Sequence, residues 1–349
     1  MMAGLNHQAG RLSRNGRGFS LIEFMVAMVL GLIIIGGAIS VYLASKRSFT
    51  EVERVAELSE NARFAVQVMG DSLRHVRFFG GAAPGDINGS LGTISGDCTG
   101  NARGSQVQGT ETLLATTADG SGAAFGCVTD ALPGTDVLVI KSVLPRPAYD
   151  ANPEDPNAPT DGTISFPQPL SNQEVYVIAS PLTARGELFV GASAAPSVEE
   201  THPNVPKGVA WPYRMQVYYI RSANAGTGNV PTLSRKVLGW DATASAVAVQ
   251  TEDLVPGVER MRLRFGIDSD GDGAADSYDY AATVPDWDEV VAVELFLLVR
   301  SAVADVGYVD DKTYQLGDVS VTPSDGFHRF LVRNSISLRN PKLEIRGGG

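Results

Sequence analysis

Hydrophobic and polar positions divide the chain into three stretches. From Phe24 to Ser45 there are 22 residues and no charge; as a helix this run is ~33 Å long, enough to cross a bilayer core. From Phe49 the pattern turns amphipathic. Val52, Val55, Ser59, Ala62, Val66, Met69, Leu73 and Val76 recur every three or four residues, and Leu58 and Ala65 widen the stripe. Glu51, Glu53, Arg54, Glu57, Glu60, Arg63, Asp71, Arg74 and Arg77 fall mainly on the other faces. No proline lies between Phe19 and Phe79, so the spacing predicts one helix, bent if anywhere at Gly31 or Gly36-Gly37. Gly80-Gly81 and then Pro84-Gly85 are its expected stop.

Beyond Gly81 the pattern reads as strands punctuated by Gly, Pro, Asn and Asp. The predicted strands are Leu113–Thr117, Asp136–Val143, Glu174–Ala179, Leu188–Val190, Tyr213–Arg221, Leu233–Leu238, Val258–Gly266, Glu289–Arg300 and Arg329–Leu338. Met261, Leu263 and Phe265 alternate with Arg260, Arg262 and Arg264, which predicts a sheet with one wet face. Val290–Val299 is apolar on both faces and reads as a central strand covered on both sides. Five prolines between Pro145 and Pro159, and the stretch Gly191–Pro206, mark residues 145–206 as a loop-rich insertion. The fold class is therefore α+β: a long N-terminal helix, transmembrane then amphipathic, packed on an antiparallel β-sheet domain with inserted loops. The expected organisation is a leader at 1–18, a membrane helix at 19–45, its amphipathic continuation at 46–80 and a β-rich domain at 81–349.

Charge orients this arrangement. Arg11, Arg14 and Arg17 precede the apolar run with no acid among residues 1–18, which favours a cytoplasmic N-terminus and an exported remainder. Lys46 and Arg47 sit on the wrong side for that rule, with Glu51 and Glu53 close behind. The chain carries 28 basic and 39 acidic side chains, a net charge of −11. So acidic a balance argues against a nucleic-acid partner, which would meet a basic face. Loss of residues 1–18 removes three Arg and no acid, taking the charge from −11 to −14. Glu23 is the anomaly. A carboxylate at the edge of an apolar span is costly, and an ionisable group there is a functional candidate by default.

Two further features carry chemistry. Cys98 and Cys127 are the only cysteines, both beyond the membrane run. In an oxidising compartment they are expected to pair; the alternative is two free buried thiols. Asp268, Asp270, Asp272 and Asp276 stand at positions 1, 3, 5 and 9 of a loop with Gly273 at position 6, the first half of a calcium loop. Ala274 would add a carbonyl and Asp279 a carboxylate at position 12, so Ca²⁺ is the expected cofactor. The alternative is a solvated Asp/Gly turn. His7, His75, His202 and His328 are scattered, and no nucleophile, phosphate-binding or zinc spacing occurs, so the chain does not read as an enzyme.

The stretch Arg17-Gly18-Phe19-Ser20-Leu21-Ile22-Glu23 closely resembles the type III signal of type IV prepilins. That resemblance implies cleavage between Gly18 and Phe19 by a membrane prepilin peptidase and methylation of the Phe19 amine. It also implies pairing of Glu23 with a neighbouring subunit's amine during assembly. Glu60-Asn61-Ala62-Arg63-Phe64-Ala65, Leu254–Met261, Trp287 with Val290–Val293, Leu297–Ser301 and Leu338-Arg339-Asn340 resemble the PilW family of minor pilins. Members of that family often carry a Cys where this chain has Gly80-Gly81.

The resemblance implies a minor pilin that primes type IV pilus assembly and occupies its tip. Its implied partners are other minor pilins, the major pilin and the inner-membrane assembly platform. The implied location is the bacterial inner membrane, single-pass, with a periplasmic C-terminal domain, and the pilus after assembly. A minor pseudopilin of a type II secretion system shares the leader and helix. An adhesive tip module on a pilin stem is the other alternative, with residues 145–206 as its contact surface.

Overall fold

The structure, a computed structural model, describes residues 18–99, 104–107, 111–150, 170–191, 203–223 and 230–347. The chain falls into two units, Met1–Glu53 and Arg54–Gly349. Helix α1 (Leu21–Arg74) begins in the first and ends in the second. Within the first unit it is long and apolar enough to cross a membrane, and its apolar side chains from Leu21 to Leu43 are exposed. It passes through Gly31, Gly36 and Gly37 without interruption. Ser40 and Thr50 return their hydroxyls to the carbonyls of Gly37 and Lys46, which satisfies these polar groups inside the helix.

In the second unit α1 buries Leu58, Ala62, Ala65, Met69 and Leu73, spaced by three and four. The stripe starts later than the spacing predicts, because Val55 is exposed. The helix also ends earlier, at Arg74 rather than at residue 80. His75 and Val76 tighten into three-residue hydrogen bonds, Arg77 adopts φ 62°, and the Asn340 amide caps the Val76 carbonyl.

Among the described residues, fifteen strands follow. They are β1 (Ile87–Gly89), β2 (Leu113–Thr117), β3 (Asp136–Val143), β4 (Tyr149–Asp150), β5 (Val175–Ser180), β6 (Arg185–Val190), β7 (Val209–Arg221) and β8 (Thr232–Asp241). Then come β9 (Ala246–Pro256), β10 (Val258–Ile267), β11 (Ser277–Tyr280), β12 (Val290–Arg300), β13 (Tyr314–Leu316), β14 (Val319–Val321) and β15 (Arg329–Ser337), before helix α2 (Arg339–Gly347). One sheet has nine strands, built along β1-β6-β5-β7-β3-β2 with β4, β8 and β9 joined through β7. A second runs β11-β10-β12-β15, and β13-β14 is a separate hairpin. Among the described strands, all pairings are antiparallel except β1 with β6, so the domain is mixed at that edge.

Strand β7 is the spine of the larger sheet. Up to Pro212 it pairs with β5, and from Tyr213 it pairs with β3. The change falls at a residue with no N–H to give to a ladder. Two strands of the segment 145–206 that reads as an insertion, β5 and β6, are ordinary members of this sheet, over a small core of Tyr176, Ile178, Phe189, Val205 and Ala210. Its proline-rich part and most of the Gly191–Pro206 stretch lie outside the described residues.

The chain crosses between sheets at Gly257. Its φ of 86° and the Arg300 carbonyl, 2.6 Å from where a Cβ would stand, leave room only for glycine. The main core lies between the buried stripe of α1, one face of the larger sheet (Leu138, Ile140, Tyr218) and one face of the smaller (Leu263, Phe265, Leu295, Leu297). Strand β12 is buried on both faces, as its sequence predicts, because Phe296 and Leu298 pack against Leu316 of β13. The wet face expected of β10 is a correction. Arg262 is only 14% exposed: it pairs with Asp136 of β3 at 2.7 Å and with Asp318 at 2.8 Å, and lies over the Tyr280 ring. The turn of the β13-β14 hairpin, which supplies Asp318, covers what the alternation leaves bare.

Candidate functional site

The first site is the start of α1. Gly18, Phe19 and Ser20 are non-helical, and Phe19 is 88% exposed. Ser20 stands as N-cap and Glu23 as third helical residue. The Ile22 N–H reaches the Ser20 hydroxyl at 3.3 Å, and Glu23 Oε2 accepts the Ser20 N–H at 2.9 Å. This is a capping box, with two end donors satisfied by side chains. The carboxylate also meets the positive end of the helix dipole. Glu23 is thus held at the helix start, and the Gly18–Phe19 bond lies just ahead of it in non-helical backbone. The leader before Gly18 lies outside the described residues.

The Asp-rich loop joins β10 to β11, whose last pair is Ile267 with Ser277. Asp268 is 2% exposed and accepts the N–H groups of Gly271 at 2.9 Å and Gly273 at 2.7 Å, so it holds the loop closed. Gly271 and Gly273 take φ of 79° and 82°, which a side chain would strain. Asp276 accepts the amide and hydroxyl of Ser269, and these bonds hold its acid below the ordinary carboxylate range. Carboxylate oxygens of Asp268, Asp270 and Asp276 lie within 4.8 Å of one another.

The expected ligand set is therefore only partly assembled. Asp272 accepts the Ala274 N–H and stands outside the cluster. Asp279 lies in β11 opposite Phe265, because the hairpin resumes pairing before position 12 is reached. Cys98 and Cys127 are joined in a disulfide with Cα atoms 4.4 Å apart, and both are buried. Asp97 steadies this corner by accepting the N–H groups of Cys98 and Ser105.

An ion network that the sequence does not announce ties the C-terminal strands together. Arg329 is 4% exposed and meets Glu259 at 2.5 Å, Asp310 at 3.2 Å and Asp325 at 2.6 Å. The guanidinium holds the Asp325 acid below its ordinary range. Asp305 joins Arg54 of α1 and His328, and these hydrogen bonds lower its acid also. The partners lie up to 251 positions apart in the chain, so no local pattern betrays them.

Residues 13–39 match the prokaryotic N-terminal methylation motif, and residues 217–340 match the model of type IV pilus-assembly protein W. Together these two matches cover less than half of the chain, and over those residues it is similar to type IV pilus-related minor pilins. The methylation motif covers Gly18, Phe19 and Glu23, and the second match covers the sheet crossing at Gly257 and the Asp-rich loop. Residues 60–65, which resemble the same family, fall outside both matches. No curated protein matches the chain. Among solved structures, a type IV-like pilin from Thermus thermophilus is similar at 14% identity and a TM-score of 0.23, over 50% of this chain and 86% of that one.

Proposed function

We propose that this chain is a minor pilin that primes type IV pilus assembly and sits at or near the tip. The observation that carries the reading is the helix start. The Gly18–Phe19 bond lies in unwound backbone directly ahead of the Ser20–Glu23 capping box, with the methylation motif around it. Prepilin peptidase cuts there from the cytoplasmic side and methylates the Phe19 amine. The apolar part of α1 anchors the subunit in the inner membrane, with residues beyond it in the periplasm, and then becomes filament core beside other minor pilins and the major pilin. Glu23 supplies the carboxylate that pairs with a neighbour's amine; two charges poorly solvated in an apolar setting compensate each other only when brought together.

Mass spectrometry of the membrane-extracted protein tests the first step. With the peptidase present the N-terminus is methylated Phe19, and without it the leader persists. An unprocessed N-terminus in both strains overturns the reading. Deletion of the gene abolishes or sharply reduces surface pili and twitching; normal piliation overturns the priming role.

A second reading concerns the Asp-rich loop. We propose that it binds Ca²⁺ through Asp268, Asp270 and Asp276, whose oxygens already converge within 4.8 Å. Hard-cation coordination would relieve their mutual repulsion. Calorimetric titration of the full chain in detergent gives saturable heat that Asp270→Ala removes. No heat at millimolar Ca²⁺ overturns it.

A further inference from the structure

The helix-facing side of β7 changes character along its length. Ile220 and Tyr218 pack into the core beneath α1, whereas Gln216 and Arg214, next on the same face, border the last turn of the helix. There the helix end and the sheet border an open cavity of about 310 Å³. Ser72, His75, Ser142, Arg214, Gln216 and Arg235 line it.

This lining is rich in donors and short of acceptors. Asp71, the one acid in the wall, is already paired with Arg74 at 2.7 Å. Arg235 is paired with Glu252 through Nε at 2.8 Å. His75 donates its Nδ1–H to the Asp71 carbonyl at 2.7 Å, which leaves Nε2 of the neutral ring as an acceptor. Arg214 has no ion-pair partner among the described residues. Gln216 is 8% exposed, and its amide has no hydrogen-bond partner among them. A guanidinium presents a fork that matches a carboxylate. A cavity walled by an unpaired Arg and a Gln whose amide has no protein partner is organised for an anionic oxygen ligand.

We propose that this pocket binds a carboxylate, with Arg214 as its principal partner and the Gln216 amide supplying a further hydrogen bond. Two sources share that chemistry: a free dicarboxylate and an acidic side chain presented by a neighbouring protein. The inference stands independently of the assembly role, since it rests on the cavity alone.

Calorimetric titration of the full-length chain in detergent micelles tests it, with succinate and a blocked glutamyl peptide as probes. At least one gives saturable binding, weakened tenfold or more by Arg214→Ala and less by Arg214→Lys, which keeps the charge but not the fork. Gln216→Glu, nearly isosteric, puts a carboxylate in the pocket. It binds neither probe and unfolds at or above the wild-type temperature, which keeps the test decisive should Arg214→Ala fail to fold. Saturation by the peptide alone assigns a protein side chain as the source; saturation by succinate assigns a free dicarboxylate. Absence of saturation by both probes at about 10 mM overturns the proposal. So does wild-type affinity in Gln216→Glu.

Discussion

The Asp136 carboxylate, fully buried at the start of β3, holds the Arg262 guanidinium of β10 at 2.7 Å and so joins the two sheets directly. Asp136 also accepts the Leu263 N–H at 2.7 Å and the Thr117 hydroxyl at 2.9 Å. Burial pushes its acid up, and Arg262 works against that push. Asp136→Ala leaves a buried cation and an amide without this partner and should cost about 3–5 kcal/mol. Asp136→Asn, which keeps the shape and some hydrogen bonds, should cost less. Urea unfolding of both variants checks this, and equal losses would mean that the charge is irrelevant.

Acid should destabilise the domain. Asp325 and Asp318 are held low by Arg329 and Arg262, so for each the folded pKa lies below the unfolded value of about 3.9. Their stabilisation is present above that value and lost as pH falls through the folded pKa. Asp136, raised by burial, acts with the opposite sign and is outnumbered. The melting temperature should therefore fall as pH drops below about 4, and less steeply in Asp325→Asn.

Asp268 should matter to the loop even without a cation. It is the buried acid of the loop and closes the turn through two backbone N–H groups, whereas Asp270 accepts the Asp272 N–H on an exposed stretch. In chelator, Asp268→Ala should cost about 1–3 kcal/mol and Asp270→Ala well under 1. Thermal unfolding with and without chelator separates this structural role from any role in binding.

Breaking the Cys98–Cys127 bond frees a stretch with a separation of 29 residues. The chain-entropy account puts the loss at about 3–4 kcal/mol. Reduction, or a double Cys→Ser variant, should lower the melting temperature by roughly 10 °C.

Elements marked by an apolar run or stripe were legible in the chain, and elements defined by distant partners were not. Strands β2 and β3 fall where their apolar runs begin and end, and β12 reads as central because both of its faces are apolar. Strand β9 escapes notice because Gln250, Thr251, Glu252 and Asp253 give it a polar, exposed middle; its place is fixed by the ladder to β8. Helix α2 hides behind Pro341, which sits harmlessly in its first turn. The alternation of β10 marks Arg262 as facing away from the core, but not that Asp136 and Asp318 would cover it. In the same way Asp268, Asp270 and Asp276 are visible as a spacing, whereas Asp279 is removed by strand pairing that the spacing does not contain. Arg214 and His75 meet only because a helix end and a sheet converge.

The disulfide also has a mechanical consequence for the domain. Pulled from its ends, the oxidised domain cannot pay out the chain between Cys98 and Cys127. Those 29 residues, at about 3.4 Å each, withhold roughly 100 Å of extension. A force-extension trace of the single molecule should lengthen by that amount on reduction, so the bond acts as a limit on stretch as well as a constraint on unfolding.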